Sequence, residues 1–151
     1  MKAEELQIGD WVQSFPDQCR VDGIVCLREE HTAEEKWMAI VHLGGNKYER
    51  VNVGILEPIP LTPEILEKNG FTNYDVGHKV KGWTIMDADY RSDIPFTLTD
   101  DDFNTKQGDY KWGPVEDDRE ESFVREVGRI KYVHELQHAL RVCGVNKEIA
   151  L

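Results

Sequence analysis

Hydrophobic and polar residues alternate most regularly in the first part of the chain, over residues 6–61. Alternation with a period of two is typical of strands that bury one face of a sheet. Four runs carry this pattern: residues 8–15, 21–27, 37–43 and 48–55. Gly44, Gly45 and Asn46 separate the last two runs and tolerate the positive φ of a hairpin turn. These runs predict a small, strongly bent antiparallel sheet in the form of an SH3-like barrel or half-barrel.

Two later segments change to the period of a helix. Thr62, Pro63 and Glu64 form a helix start, because threonine caps the first N–H groups, proline fits the first turn and glutamate complements the helix dipole. The Asn-Gly pair at residues 69–70 is expected to end this short helix. Residues 129–143, followed by a glycine, predict a second, amphipathic helix at the C-terminal end.

The residues around these helices complete the predicted fold. Residues 76–86, 94–99 and 122–127 have the composition of further strands, and residues 147–151 that of a terminal strand. We therefore expect a single α+β domain over residues 1–151. Its predicted parts are a β lobe over 6–61, a helix within 62–71, a β extension over 76–127 that contains an acidic loop over 100–121, and a helix over 129–143.

Acidic residues outnumber basic residues in the chain and concentrate in residues 100–121. With 29 Asp and Glu residues against 18 Lys and Arg residues, the 151-residue chain has a net charge of −11. Because nucleic acids and anionic membranes are held mainly by Lys and Arg, we expect neither direct nucleic-acid binding nor membrane docking. Asp100, Asp101 and Asp102 open a segment that is predicted to form a long, exposed excursion.

The sequence carries no signal for a location outside the cytoplasm. The first residues lack the apolar stretch of a secretory signal, and no apolar run reaches the roughly 18–20 residues needed to span a bilayer. Cys19, Cys26 and Cys143 are odd in number and do not have the spacing of zinc ligands. We therefore expect a cytoplasmic protein with reduced thiols.

Residues 134–138 read His-Glu-Leu-Gln-His and match the H-E-x-x-H pattern of zinc peptidases. On a helix, histidines four residues apart share one face and can hold a zinc ion, while the glutamate polarises the metal-bound water. On a helical wheel that starts at Ile130, His134 and His138 fall at roughly 40° and 80°, opposite an apolar stripe at roughly 180–300°. We therefore interpret both imidazoles as part of a solvated helix face. A zinc site of His134 and His138 with Glu135 as catalytic base is the alternative.

Two groups of side chains are candidates for binding a protein partner. Trp11, Trp37 and Tyr48 lie on predicted strands and would line an aromatic groove of the kind with which SH3-like barrels hold peptides. The three aspartates that open the acidic excursion would present a cluster of negative charge to a basic partner.

Three stretches together resemble a known group of proteins. They are Leu-Gln-Ile-Gly-Asp-Trp-Val over residues 6–12, Glu-Pro-Ile-Pro-Leu-Thr over residues 57–62, and Ile-Lys-Tyr-Val-His with Leu-Gln over residues 130–137. The chain is similar in these stretches to small uncharacterised proteins encoded by bacteriophages, prophages and mobile elements of gut anaerobic bacteria. The resemblance implies no activity, and that group has no second histidine at the position of His138.

The sequence therefore predicts a non-enzymatic accessory protein of a phage or mobile element that binds another protein and needs no cofactor. Two alternatives stay open. One is a minimal zinc-dependent hydrolase that uses residues 134–138. The other is an acidic DNA mimic, in which carboxylates of residues 100–121 occupy the basic site of a DNA-binding protein.

Overall fold

A computed structural model describes residues 1–28, 35–75, 81–85, 96–100, 110–113, 115–118, 121–124, 127–145 and 147–151. The fold over these residues is α+β, with two five-stranded antiparallel sheets, a two-stranded ribbon and two α-helices. The chain divides into two compact units, which we call unit 1, Met1–Ile59, and unit 2, Pro60–Leu151. The boundary between the units lies close to Leu61, where the predicted β lobe ends.

Unit 1 contains one antiparallel sheet. Its five strands are β1 Trp11–Ser14, β2 Asp17–Arg28, β3 Glu35–His42, β4 Tyr48–Asn52 and β5 Glu57–Pro58. The strand order is β4-β3-β2-β1-β5, so that the last strand returns to pair with the first after a short 3-10 helix, Val53–Ile55. No pairing between β4 and β5 closes the sheet within the described part of unit 1. The predicted antiparallel sheet is confirmed, whereas the closed SH3-like barrel is not.

The inner face of this sheet forms the core of unit 1. Val12 and Cys19 are register partners on it, as are Val21 and Val41, and all four side chains are fully buried. The alternation of the sequence explains this, because every second side chain of a strand points to the same face. Burial raises the pKa of the Cys19 thiol, which lies 3.6 Å from the main-chain oxygen of Val12.

Unit 2 contains the second five-stranded sheet and the ribbon. The strands are β6 Thr72–Asp75, β7 Lys81–Ile85, β8 Phe96–Asp100, β9 Tyr110–Gly113, β10 Val115–Asp118, β11 Glu121–Val124 and β12 Gly128–Ile130. The sheet order is β12-β9-β8-β7-β6, and β10 pairs with β11 as the ribbon. The predicted excursion over residues 100–121 is therefore wrong for Tyr110–Gly113. Tyr110 shows why: it is only 3% exposed, and β9 lies inside the sheet.

Two α-helices belong to unit 2, α1 Pro63–Lys68 and α2 Val133–Val142. The predicted first helix is confirmed, and the Thr62 hydroxyl accepts a hydrogen bond from the Ile65 N–H at 3.4 Å. The predicted second helix begins too early, because Arg129 and Ile130 belong to β12, where they pair with β9. Among the described residues, neither α-helix is long and apolar enough to cross a membrane.

The C-terminal residues 147–151 are held by a side chain rather than by a strand. The Asn69 Nδ2 atom donates to the main-chain oxygen of Ala150 at 2.8 Å, and its Oδ1 atom accepts from the Ala150 N–H at 2.8 Å. Asn69 Nδ2 also donates to the main-chain oxygen of Ile65 at 2.8 Å. The predicted terminal strand is therefore wrong, since one buried amide supplies both hydrogen bonds that a neighbouring strand would supply.

Candidate functional site

The face of the unit 1 sheet opposite its core carries a row of polar and aromatic side chains. Trp11 on β1 is the register partner of Arg20 on β2, Arg20 is the partner of His42 on β3, and His42 is the partner of Tyr48 on β4. Directly paired residues of antiparallel strands point to the same face, so these four side chains follow one line across four strands. Adjacent strands are about 4.8 Å apart, so the line spans roughly 14 Å of backbone.

An apolar centre lies beside this row on the same face. Val25 pairs with Met38, and Gly23 pairs with Ile40, with all three apolar side chains half-buried. A Cβ atom at Gly23 would lie 3.3 Å from Cδ1 of Ile40, which shows that Ile40 packs closely over the glycine. We call the register positions on this side of β1 to β4 the outer face. They are Trp11, Gln13, Gln18, Arg20, Gly23, Val25, Leu27, Lys36, Met38, Ile40, His42, Tyr48, Arg50 and Asn52.

Charge is divided between the two faces of β2, β3 and β4. Their outer-face positions include three cations, Arg20, Lys36 and Arg50, and no carboxylate. The carboxylates at the paired positions of these strands point to the inner face, beyond the edges of the core: Asp17, Glu35 and Glu49. Glu35 forms an ion pair on that face, with its Oε1 atom 3.5 Å from Nη2 of Arg28. Asp22, at the β-bulge between Val21 and Gly23, has no register partner and is exposed.

The histidine of the row is held in a fixed orientation. The rings of His42 and Tyr48 stack with centroids 4.9 Å apart and an interplanar angle of 21°. The His42 Nε2 atom lies 2.7 Å from the main-chain oxygen of Gly45, to which it donates as an N–H. Gly45 has a φ of 59°, a conformation that side chains other than glycine rarely adopt. The hairpin turn thus positions the His42 ring, and the ring supports Tyr48, which remains 59% exposed.

The three aromatic residues predicted to share a groove do not lie on one face. Trp11 and Tyr48 belong to the outer face, whereas Trp37 pairs with Cys26 on the opposite face, near the start of β3. Trp37 is partly exposed there because the core ends at Ala39. The predicted groove of three aromatic residues is therefore wrong, while two of them share a surface with His42.

Only one of the three predicted acidic candidates lies in the described residues. Asp100 is the last residue of β8 and is the register partner of Lys81 on one side and Tyr110 on the other. Asp101 and Asp102 lie outside the described residues. The proposed stripe of carboxylates over 100–121 therefore stays a prediction.

The H-E-x-x-H segment lies at the start of α2, and one of its two histidines is buried. His134 is 5% exposed and Gln137 is 4% exposed, whereas His138 is half-buried. The prediction that both imidazoles belong to a solvated face is therefore wrong for His134. The helical wheel failed because α2 is buried over a wider arc than its apolar stripe. The His134 ring stacks on Tyr132, with centroids 5.8 Å apart and an interplanar angle of 9°.

Glu135 caps the start of α2. Its Oε2 atom accepts hydrogen bonds from the N–H groups of Lys131 at 2.7 Å and Tyr132 at 3.1 Å. A glutamate at the third helical position commonly caps the N-terminus of a helix in this way.

The rings of His134 and His138 meet edge to face, with centroids 5.8 Å apart. No group of three or more His, Cys, Asp or Glu residues able to hold a metal ion occurs in the described part of the chain.

Sequence reasoning missed Arg20, His42 and Arg50 as members of a surface. Only the pairing register places them on one face, because each occupies an ordinary strand position in the sequence.

Comparison with protein-family models, with curated proteins and with solved structures finds no match to this chain.

Proposed function

We propose that the chain is a non-enzymatic accessory protein of a phage or mobile element, and that it binds another protein through the outer face of unit 1. The observation that carries this proposal is the apolar centre of Val25, Met38 and Ile40 on the side of the sheet away from the core. Interaction surfaces commonly combine an apolar, aromatic centre with a polar rim. Tyr48 and the three cations Arg20, Lys36 and Arg50 supply such a rim.

The distribution of exposed apolar side chains supports the choice of unit 1. Six of the eight large, exposed apolar or aromatic side chains in the described residues belong to unit 1: Ile8, Phe15, Leu27, Trp37, Tyr48 and Ile55. Such side chains are ordinary when scattered, and two of the six, Leu27 and Tyr48, share the outer face with the apolar centre.

We further propose that unit 1 is an SH3-like lobe. Four consecutive antiparallel strands, a 3-10 helix and a short last strand that pairs back with the first support this assignment. Small sheets of this kind present aromatic side chains to peptide ligands. On this proposal the row of Trp11, Arg20, His42 and Tyr48 on the outer face has the role that the sequence assigned to a groove of three aromatic residues.

The experiment is affinity capture of partners from a lysate of the native host, compared among matched variants by quantitative mass spectrometry. Tyr48→Ala combined with Arg50→Ala changes the outer face at two exposed positions of β4. Glu49→Ala is the control, because it changes the exposed residue between them, which points to the other face. We expect proteins that the wild type and the control enrich to be lost with the double variant. Equal enrichment by the double variant, or no enrichment by the wild type over a tag alone, would refute the proposal.

A further inference from the structure

We infer that the outer face of unit 1 recognises an acidic segment of its partner that also carries apolar side chains. This inference rests on the proposed function and specifies the chemistry of the partner. It starts from the division of charge between the two faces of the sheet. The chain has a net charge of −11, yet the paired outer-face positions of β2, β3 and β4 carry Arg20, Lys36 and Arg50 without a carboxylate.

The three cations lie around the apolar centre. Arg50 is the register partner of Ile40, Lys36 is the partner of Leu27 one step beyond the Val25–Met38 pair, and Arg20 lies in the row of His42. Cationic positions therefore occur beside the centre and towards both ends of it. A ligand that matches this pattern has apolar side chains for the centre and carboxylates around them, since complementary charges fix register and suppress wrong partners.

The spacing of the outer face fits a polypeptide ligand. Successive outer-face residues of one strand, such as Met38 and Ile40 or Tyr48 and Arg50, are two residues apart, which corresponds to about 6.7 Å. An extended peptide has the same repeat on each of its sides, so a side with apolar residues in the middle and acidic residues towards both ends can follow the outer face in register.

A single-stranded nucleic acid is the competing ligand, because aromatic and cationic side chains on a sheet also hold bases and phosphates. The charge of the whole chain favours the peptide. A polyanion with a charge on every nucleotide is repelled by the net charge of −11, and only three cations on this face can offset that repulsion. A peptide segment with two or three carboxylates needs no more cations than the outer face provides.

The test is fluorescence anisotropy with the full chain and four labelled probes. The first is a 12-residue peptide whose second, fourth, sixth, eighth and tenth residues are glutamate, leucine, leucine, glutamate and glutamate, with serine at all other positions. The second has lysine in place of each glutamate, the third has serine in place of each leucine, and the fourth is an oligothymidine of 15 nucleotides. We expect the first probe to bind at least tenfold more tightly than the other three. Its affinity is expected to fall as salt is raised, because exposed charge pairs are screened.

Variants identify the surface that binds the probe. Arg50→Gln is expected to weaken binding of the acidic peptide about threefold, and Lys36→Gln with Arg50→Gln about tenfold, as is typical of exposed charge pairs. Glu49→Gln, on the other face of β4, is the control and is expected to change the affinity less than twofold. Unchanged thermal unfolding of each variant shows that the comparison concerns binding.

Three outcomes would overturn the inference: absent binding of the acidic peptide, equal binding of the acidic and lysine peptides, or tighter binding of the oligothymidine. The last result would assign the surface to nucleic acid. If the capture experiment finds a partner that depends on Tyr48 and Arg50 but the acidic peptide does not bind, only the inference about its chemistry fails. If neither experiment gives binding, the proposed function fails as well.

Discussion

The side-chain amide of Asn69 forms the hydrogen bonds whose loss has the most directly predictable effect on stability. Its three hydrogen bonds, each 2.8 Å long, join the end of α1 to the C-terminal residues. The bond to Ile65 is partly redundant, because that carbonyl oxygen also accepts from the Asn69 N–H at 3.2 Å. The two bonds to Ala150 have no such substitute within the described residues, and a buried hydrogen bond contributes about 1 kcal/mol.

We therefore expect Asn69→Ala to lower the free energy of unfolding of unit 2 by about 2 kcal/mol. A larger loss requires that residues 147–151 detach completely. Ile149 is fully buried, and exposing such a side chain costs a further 1.5–3 kcal/mol or so. Asn69→Asp is expected to lose at least as much as the alanine variant, because a carboxylate presents negative charge to the Ala150 carbonyl oxygen instead of a donor.

Urea unfolding followed by circular dichroism measures the loss, and hydrogen exchange at the Ala150 amide locates it. The Ala150 N–H is expected to exchange faster in Asn69→Ala than in the wild type, because its acceptor is gone. Glu67→Ala, at an exposed position of the same helix, is the control and should change stability by less than about 0.5 kcal/mol. The reasoning is refuted if Asn69→Ala costs no more than the control or leaves exchange at Ala150 unchanged.

Other contacts give further measurable expectations. A Cβ at Gly128 would lie 2.9 Å from Nε1 of Trp112, so Gly128→Ala should cost about 1–3 kcal/mol and alter tryptophan emission; an unchanged urea midpoint would contradict this. Glu135→Ala should cost about 1–2 kcal/mol, while Glu135→Gln, which retains an acceptor, should cost about 0.5 kcal/mol; equal losses would argue against the cap. A thiol reagent should modify exposed Cys26 in the native protein and spare Cys19 until unit 1 unfolds, as peptide mass spectrometry can show; early modification of Cys19 would disprove its burial.

Elements with a strong local signal were predictable from the sequence. The helix that begins at Thr62 and the hairpin at Gly44 and Gly45 depend on residues within a few positions of each other. The start of α2 was not predictable in this way. Arg129 and Ile130 were predicted to belong to the helix, but pairing with β9 holds them in a strand. That partner strand lies in the acidic stretch, where composition indicated an exposed excursion.

The outer face illustrates how a single bulge hides a surface from sequence reasoning. Strict alternation along β2 would place Arg20 and Val25 on opposite faces, because they are an odd number of residues apart. The bulge at Asp22 adds one residue to β2, so that both side chains point to the outer face. The aromatic candidates were visible in the sequence because of their residue type. The cations that surround the apolar centre become visible only when the bulge and the register are known.

The H-E-x-x-H segment shows why the position of a motif within its helix matters as much as its spacing. A glutamate at the third position of a helix is selected by the helix start itself, because it accepts hydrogen bonds from the N–H groups that precede the helix. Glu135 occupies that position, and its carboxylate accepts two such bonds. The glutamate of the zinc motif is thus accounted for by helix capping. The same helix start depends on β12, because the strand ends at Ile130 and leaves Lys131 and Tyr132 to be capped. A long-range strand pairing therefore sets the position of a glutamate to which only the alternative zinc site gives a catalytic role.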